Sequence, residues 1–284
     1  MSKSLTFETL DDLALAVGEG LMASDAALPR SLAGVRLGPL IELHLLKGTM
    51  SWPPGVLATI EDAAFGRLMN ALRAERTMWI SDTGRSGFML LGEAFGDDEE
   101  TRWTGFGLKA DQAMRAVGLP AGLAGQLVGA TKELHSNGYE HSERSRTGIV
   151  AFASHQDMAE FIVADSGIGV LASLKSNPKH AGIEGDAEAL RLALQPGGSR
   201  YAGVSTRGHG FDLMFTGLLN RDSKLRFRSG TAAITIDGLA AGSPVPLIRD
   251  RPAMQGFLIA IDCHGFSPLD GRVHASTPIG ADAT

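Results

Sequence analysis

Apolar and polar residues change rhythm several times along this chain. After a short extended piece at Leu5 to Phe7, apolar residues recur at helical spacing from Leu10 to Met22, the pattern of a helix with one buried face. The run VRLGPLIELHLLKG, residues 35–48, is apolar at too many positions to show a period and is open between strand and helix. Ile60, Ala64, Leu68 and Leu72 predict a helix from about Gly55 to Glu75. TMWISDTGRSGFMLLG reads as a hairpin, two β-rich runs around Asp82, Gly84, Ser86 and Gly87, and turn residues between such runs are the hairpin signature. The acidic stretch GDDEETRW, from Gly96 to Trp103, reads as a surface loop.

The second half is more regular. Leu119-Pro120 opens a long helix to about His141, followed by strands at Thr147 to Ser154 and Ala159 to Ala164 across the turn HQDM. A stretch rich in Gly, Pro and Lys, Gly167 to Arg207, holds a helix at Asp186 to Leu194; another helix begins near Gly210. Strands are expected at Lys224 to Arg228, Ala232 to Ile236 and Gly256 to Ile261, and a frayed tail past Asp270. This order lacks the strand–helix alternation of a Rossmann domain. It predicts an α+β fold, a mixed and mainly antiparallel sheet with helices on one face. Residues 1–115 form a smaller N-terminal α/β region of unknown role, 116–270 the main domain, and 271–284 a flexible tail.

Three short constellations carry candidate chemistry. On the long helix, Leu123, Leu127, Ala130, Leu134, Gly138 and His141 share one stripe at 100° per residue. Glu133 and Asn137 lie one turn apart on its flank. There a carboxylate could polarise a water or hydroxyl and an amide oxygen could ligate Mg²⁺; taken alone, Glu and Asn on a helix flank are more often solvated polar residues. FIVADSGIG ends an apolar strand in Asp165, Gly167 and Gly169. An acid there can accept a hydrogen bond from an exocyclic amine, and the glycines let the backbone approach a ligand, whereas an Asp/Gly turn is the plain alternative. In STRGHGFDL, Gly208 and Gly210 precede a helix whose free N–H groups suit an anion, with Arg207 beside them. No Walker lysine follows, and the strand of a dinucleotide fingerprint is missing.

Composition narrows the partners. Across 284 residues, 44% are hydrophobic, and 26 basic against 32 acidic residues give a net charge of −6. That balance argues against a protein that coats nucleic acid. The single cysteine, Cys263, cannot form an internal disulfide and fits a reducing compartment. The first residues lack the layout of a signal peptide, and no apolar run approaches the roughly 18 residues that span a bilayer. The expectation is a soluble, cytoplasmic protein with no membrane partner.

ELHSNGYEHS, ADSGIG and STRGHGFDL, taken in that order, resemble the GHKL or Bergerat-fold ATPase superfamily, which includes gyrase B, Hsp90, histidine kinases, MutL and the anti-sigma serine kinases. The resemblance runs from about Gly118 to Ile261. It implies ATP with Mg²⁺ as ligands. Glu133 is then the acid that positions the attacking water or hydroxyl, and Asn137 the Mg²⁺ ligand. Asp165 takes the adenine amine, with Gly167 and Gly169 shaping the base pocket; Gly208 and Gly210 hold phosphate, with Arg207 nearby. Val170 to Arg207 becomes the lid. Gln255-Gly256-Phe257 stands where the family has Gly-Thr, so the threonine is missing. His44 lacks the surroundings of a phosphoacceptor histidine, which argues against a conventional two-component kinase. The implied function is a signalling Mg²⁺-dependent ATPase or protein kinase, with a protein partner or homodimer through the N-terminal region. Two alternatives stay open: a nucleotide switch without turnover, and an α/β interaction protein that binds no nucleotide.

Overall fold

The computed structural model describes residues 5–21, 36–53, 65–90, 97–130, 148–195, 222–238 and 246–265, and structural statements below concern these. Helix α1 (Phe7–Gly18) starts at Thr6, whose side chain accepts from the Thr9 N–H while the Thr9 hydroxyl oxygen accepts from the Thr6 N–H. The undecided apolar run is α2 (Leu37–Leu46), with every residue except His44 buried. A helix covered on all sides has no polar face to reveal a period, which is why spacing left it open. The described part of the next expected helix is α3 (Gly66–Arg73). The expected hairpin forms, β1 (Met78–Ile80) against β2 (Ser86–Leu90), but Ser86 and Gly87, read as turn residues, belong to β2.

The acidic stretch read as a loop is, from Asp97 onward, the start of α4 (Asp97–Ala116). Carboxylates suit the first turn of a helix because its free N–H groups carry partial positive charge. Trp103, Phe106, Ala110, Ala113 and Met114 then supply the buried stripe. Helix α5 covers 121–130 in the described residues. Strands β3 (Ile149–His155) and β4 (Met158–Asp165) follow, then α6 (Gly169–Lys175), a 3₁₀ turn at Pro178–His180, α7 (Asp186–Ala193), β5 (Ser223–Asp237) and β6 (Leu247–His264).

All described strand pairs are antiparallel, in the order β1-β2-β3-β4-β6-β5. The expected mixture of parallel and antiparallel strands is therefore not found among them. The two expected strands 224–228 and 232–236 both lie within β5, which folds back at Gly230. A strand of 15 residues would extend about 50 Å, yet the Gly238 N–H donates to the Ser223 carbonyl at 2.9 Å. Gly230 makes the bend with φ of +56°.

The expectation of helices on one face is corrected. Val150, Phe152, Phe161, Val163, Ile259 and Ile261 pack with α4, α5 and α7. Ile149, Ala151, Ile162, Ala164, Leu258 and Ala260 pack on the opposite face with α1, α2 and α3. Both faces are apolar because both are covered, so β3 and β4 carry apolar residues at successive positions, interrupted within the strands only by Ser154 and Glu160. Residues before and after 115 share this sheet and its cores, since β2 pairs with β3 from Ser86↔Ala153 to Leu90↔Ile149. Among the described residues, no helix is long and apolar enough to cross a membrane.

Charge fixes the N-terminal helices in place. Arg226 Nη2 lies 2.6 Å from Asp11 Oδ1 on α1, and Arg226 Nε 2.7 Å from Glu42 Oε2 on α2. Arg228 Nη1 donates to Glu42 Oε1, and its Nη2 donates to the Pro252 carbonyl at 2.6 Å. Arg251 Nε lies 2.7 Å from Asp11 Oδ2. Burial would raise the Glu42 pKa, but Arg226 and Arg228 outweigh it and hold the carboxylate below its usual range. Removing one partner of such a network strands the others without water, at a cost of about 3–5 kcal/mol. Urea denaturation of Glu42→Ala should show a loss of that size; a loss within experimental error would contradict this role.

Candidate functional site

The C-terminal end of β4 is the one place where a candidate site falls on described residues. Asp165 closes the strand opposite Phe257 of β6 and is 3% exposed. Its Oδ1 accepts the Gly167 N–H at 2.8 Å, so the carboxylate closes the turn that follows the strand. The Phe257 N–H donates to it as well. A carboxylate offers about four lone-pair positions, so the two donors found among the described residues do not use its full acceptor capacity.

Two glycines let the backbone close around this acid. Gly256 has φ of +76°, and a Cβ there would stand 2.0 Å from the Asp165 carbonyl oxygen and 2.6 Å from Oδ1. Gly169, at φ +80°, would place a Cβ 3.0 Å from Ser229 Oγ. The Ser229 hydroxyl donates to the Gly256 carbonyl at 2.7 Å and accepts the Val170 N–H at 3.0 Å. One buried hydroxyl thus ties together the DSGIG turn, β5 and β6. The sequence reading missed Ser229; its only signal was a Ser-Gly pair at the end of an alternating strand.

Around Asp165 the electrostatics are unusual. Burial pushes its pKa up, two backbone N–H groups pull it down, and the result is about 6 against an ordinary 3.8. The negative charge therefore opposes folding. Below pH 4 the acid is neutral in both folded and unfolded chains. From pH 4 to 6 the unfolded chain ionises first, and stability falls as pH rises; above pH 6 the loss is complete, at about 3 kcal/mol.

Beyond this corner the lid expectation splits. Its described part, 170–195, is docked: Leu190 joins the large core, and Asp186 Oδ2 accepts both the Thr231 N–H and hydroxyl at 2.9 Å. The other expected site residues, Glu133, Asn137, Arg207, Gly208 and Gly210, lie outside the described residues. Within the described residues, no group of three or more His, Cys, Asp or Glu side chains is placed to hold a metal ion. Asp165, Gly167 and Gly169 are thus gathered with Gly256 and Ser229 at one corner. The chain matches no protein-family model, and no curated protein matches it.

Asp165→Asn removes the titration and keeps one acceptor oxygen for the turn. The ligand-free variant should gain on the wild type by about 1.4 kcal/mol in urea denaturation as pH rises from 5 to 8, the remainder of the roughly 3 kcal/mol having developed below pH 5. A gap independent of pH would show that the buried charge carries no such cost.

Proposed function

We propose that the corner at Asp165 binds the base of ATP, in a domain of the GHKL type, with Asp165 accepting the exocyclic amine of adenine. The observation that supports this most is a buried carboxylate whose pKa burial pushes up to about 6, met by only two N–H groups among the described residues. Groups whose surroundings work against their charge gather at functional sites. Gly256, in a conformation that side chains avoid, sets the β6 backbone directly against that acid, and Gly169 does the same for the turn against Ser229 and Gly256, so no side chain of either glycine crowds the corner.

A structural reading has one observation in its favour: the Asp165–Gly167 hydrogen bond closes the turn without any ligand. Asparagine would close the same turn without the charge penalty, so the turn alone does not account for an acid. In the nucleotide reading, the phosphates lie towards Arg207, Gly208 and Gly210. A Mg²⁺ ion on Asn137 would offset their charge, and Glu133 would orient the nucleophile of an ATPase or kinase.

Mg-ATP at 100 times its Kd adds about 2.7 kcal/mol to the folded state, which raises the melting temperature by several degrees. Asp165→Asn and Asn137→Ala should both abolish that rise; an unshifted wild type would contradict nucleotide binding. Glu133→Ala should keep the thermal shift and lose phosphate release. A wild type that binds but releases no phosphate, alone or with partners, is a switch and not an enzyme.

A further inference from the structure

Away from Asp165, a group of ionisable side chains lies where β3, β4 and β6 run under the first turn of α2. Glu160 of β4 and Asp262 of β6 stand directly opposite one another across the strand pair, on the face that α2 covers. Both carboxylates are buried. Side chains in such a pair are neighbours, and like charges there repel.

Their partners are unequal. Glu160 Oε2 accepts the Leu37 and Gly38 N–H groups, and Oε1 lies 3.2 Å from Nε2 of His155 on β3. Asp262 Oδ2 pairs with Arg36, the N-cap residue of α2, while its buried Oδ1 meets no hydrogen-bond donor among the described residues. Glu160 and Asp262 thus bring two negative charges, and Arg36 brings one positive. The other charges nearby sit in pairs or groups of their own. Lys224, opposite Asp262 on β5, acts on Glu8 of α1, and His264 of β6 lies 3.6 Å from Asp157. Arg226 belongs with Arg228 and Arg251 to the group around Asp11 and Glu42. Among the described residues, the four groups Glu160, Asp262, Arg36 and His155 are therefore neutral together only with one added proton, on Asp262 or on the half-buried His155.

The electrostatics agree with that count. Burial, then Glu160, pushes the Asp262 pKa up to about 6 against the pull of Arg36 and His264. The hydrogen bond to Glu160 raises the His155 pKa above its ordinary 6.5, against the opposing effect of burial. Both shifts make the folded chain hold protons more tightly than the unfolded chain. For Asp262 the stabilisation is complete below pH 3.8 and lost as pH rises to about 6; for His155 it is present below pH 6.5 and lost as pH rises through the raised value. Once the proton has left, two buried carboxylates share one guanidinium. Their anchors, Arg36 and the Leu37 and Gly38 N–H groups, all belong to the start of α2. Lifting that turn lets water reach the pair.

We propose that Glu160, Asp262, Arg36 and His155 form a proton switch, which docks the first turn of α2 on the sheet while the extra proton is held and loosens it when the proton leaves. None of this depends on the nucleotide reading.

Hydrogen exchange of the full chain, without nucleotide, tests it amide by amide. Protection factors, corrected for the intrinsic rate, are followed from about pH 5 to about pH 8 at Leu37 and Gly38, with Val163 and Ile261 as references in the sheet. Titration of Asp165 weakens the whole fold and moves all four amides alike, so the excess loss at the helix start is the signal. That excess should reach at least about tenfold, the equivalent of one pKa unit. Asp262→Asn keeps an acceptor for Arg36 and needs no proton for neutrality, and it should remove the excess. His155→Gln, at a half-buried position that leaves the helix contacts intact, removes the upper proton site and should move the loss to lower pH. Should Asp262→Asn fail to fold, His155→Gln decides alone. The proposal is overturned by Leu37 and Gly38 amides that follow the references, by an excess that survives in Asp262→Asn, or by an unmoved midpoint in His155→Gln.

Discussion

The architecture depends on a knot of charge sealed under the N-terminal helices. Arg226 and Arg228 are buried side chains of β5, and Asp11 of α1 and Glu42 of α2 meet them. A guanidinium cannot shed its charge as a buried lysine can, so this face of the sheet requires those helices. Glu160 of β4 acts in the same sense. Its Oε2 accepts the Leu37 and Gly38 N–H groups at 2.8 and 3.2 Å, capping a helix whose own N-cap, Arg36, offers no side-chain acceptor. Helices far apart in sequence from the C-terminal strands are thereby held to one sheet, closed on both faces.

A sheet covered on both faces leaves its strand ends as the places where polar backbone and ligand can meet. Asp165 stands at such an end. The residues around it do opposite work: apolar Val163 and Ile259 hold the strands, while Gly169, Ser229 and Gly256 bring three chain segments within hydrogen-bond distance of one another. The carboxylate inside this frame is carried against its own solvation. A fold selected for stability alone has no use for that arrangement, whereas a site that reads an amine does.

Elements with one exposed face, or with turn residues at their ends, were legible in the sequence. The β1–β2 hairpin, the β3–β4 pair, the Asp186 helix and the position of Asp165 at a strand end all follow from local pattern. Helix α2 was not legible, because burial on every side removes its period. Helix α4 was masked by acids that look like a loop and in fact suit a helix start. The fold-back of β5 at Gly230 and the linkage through Ser229 depend on groups far apart in sequence, which local spacing cannot carry. The coverage of the sheet on both faces was not legible either, because it depends on which helices pack against β3 and β4 and not on the strands' own residues.

The central claim is that Asp165 reads an exocyclic amine, and comparison of ATP with ITP tests it most directly. The two ligands carry the same phosphates, but hypoxanthine presents a carbonyl where adenine presents the amine. A hydrogen bond to a charged group contributes about 1.5–3 kcal/mol, so calorimetry on the wild type should give ATP at least a tenfold advantage. Asp165→Asn should erase that preference. Equal affinity of the wild type for ATP and ITP, or a preference that survives in Asp165→Asn, would contradict the assignment.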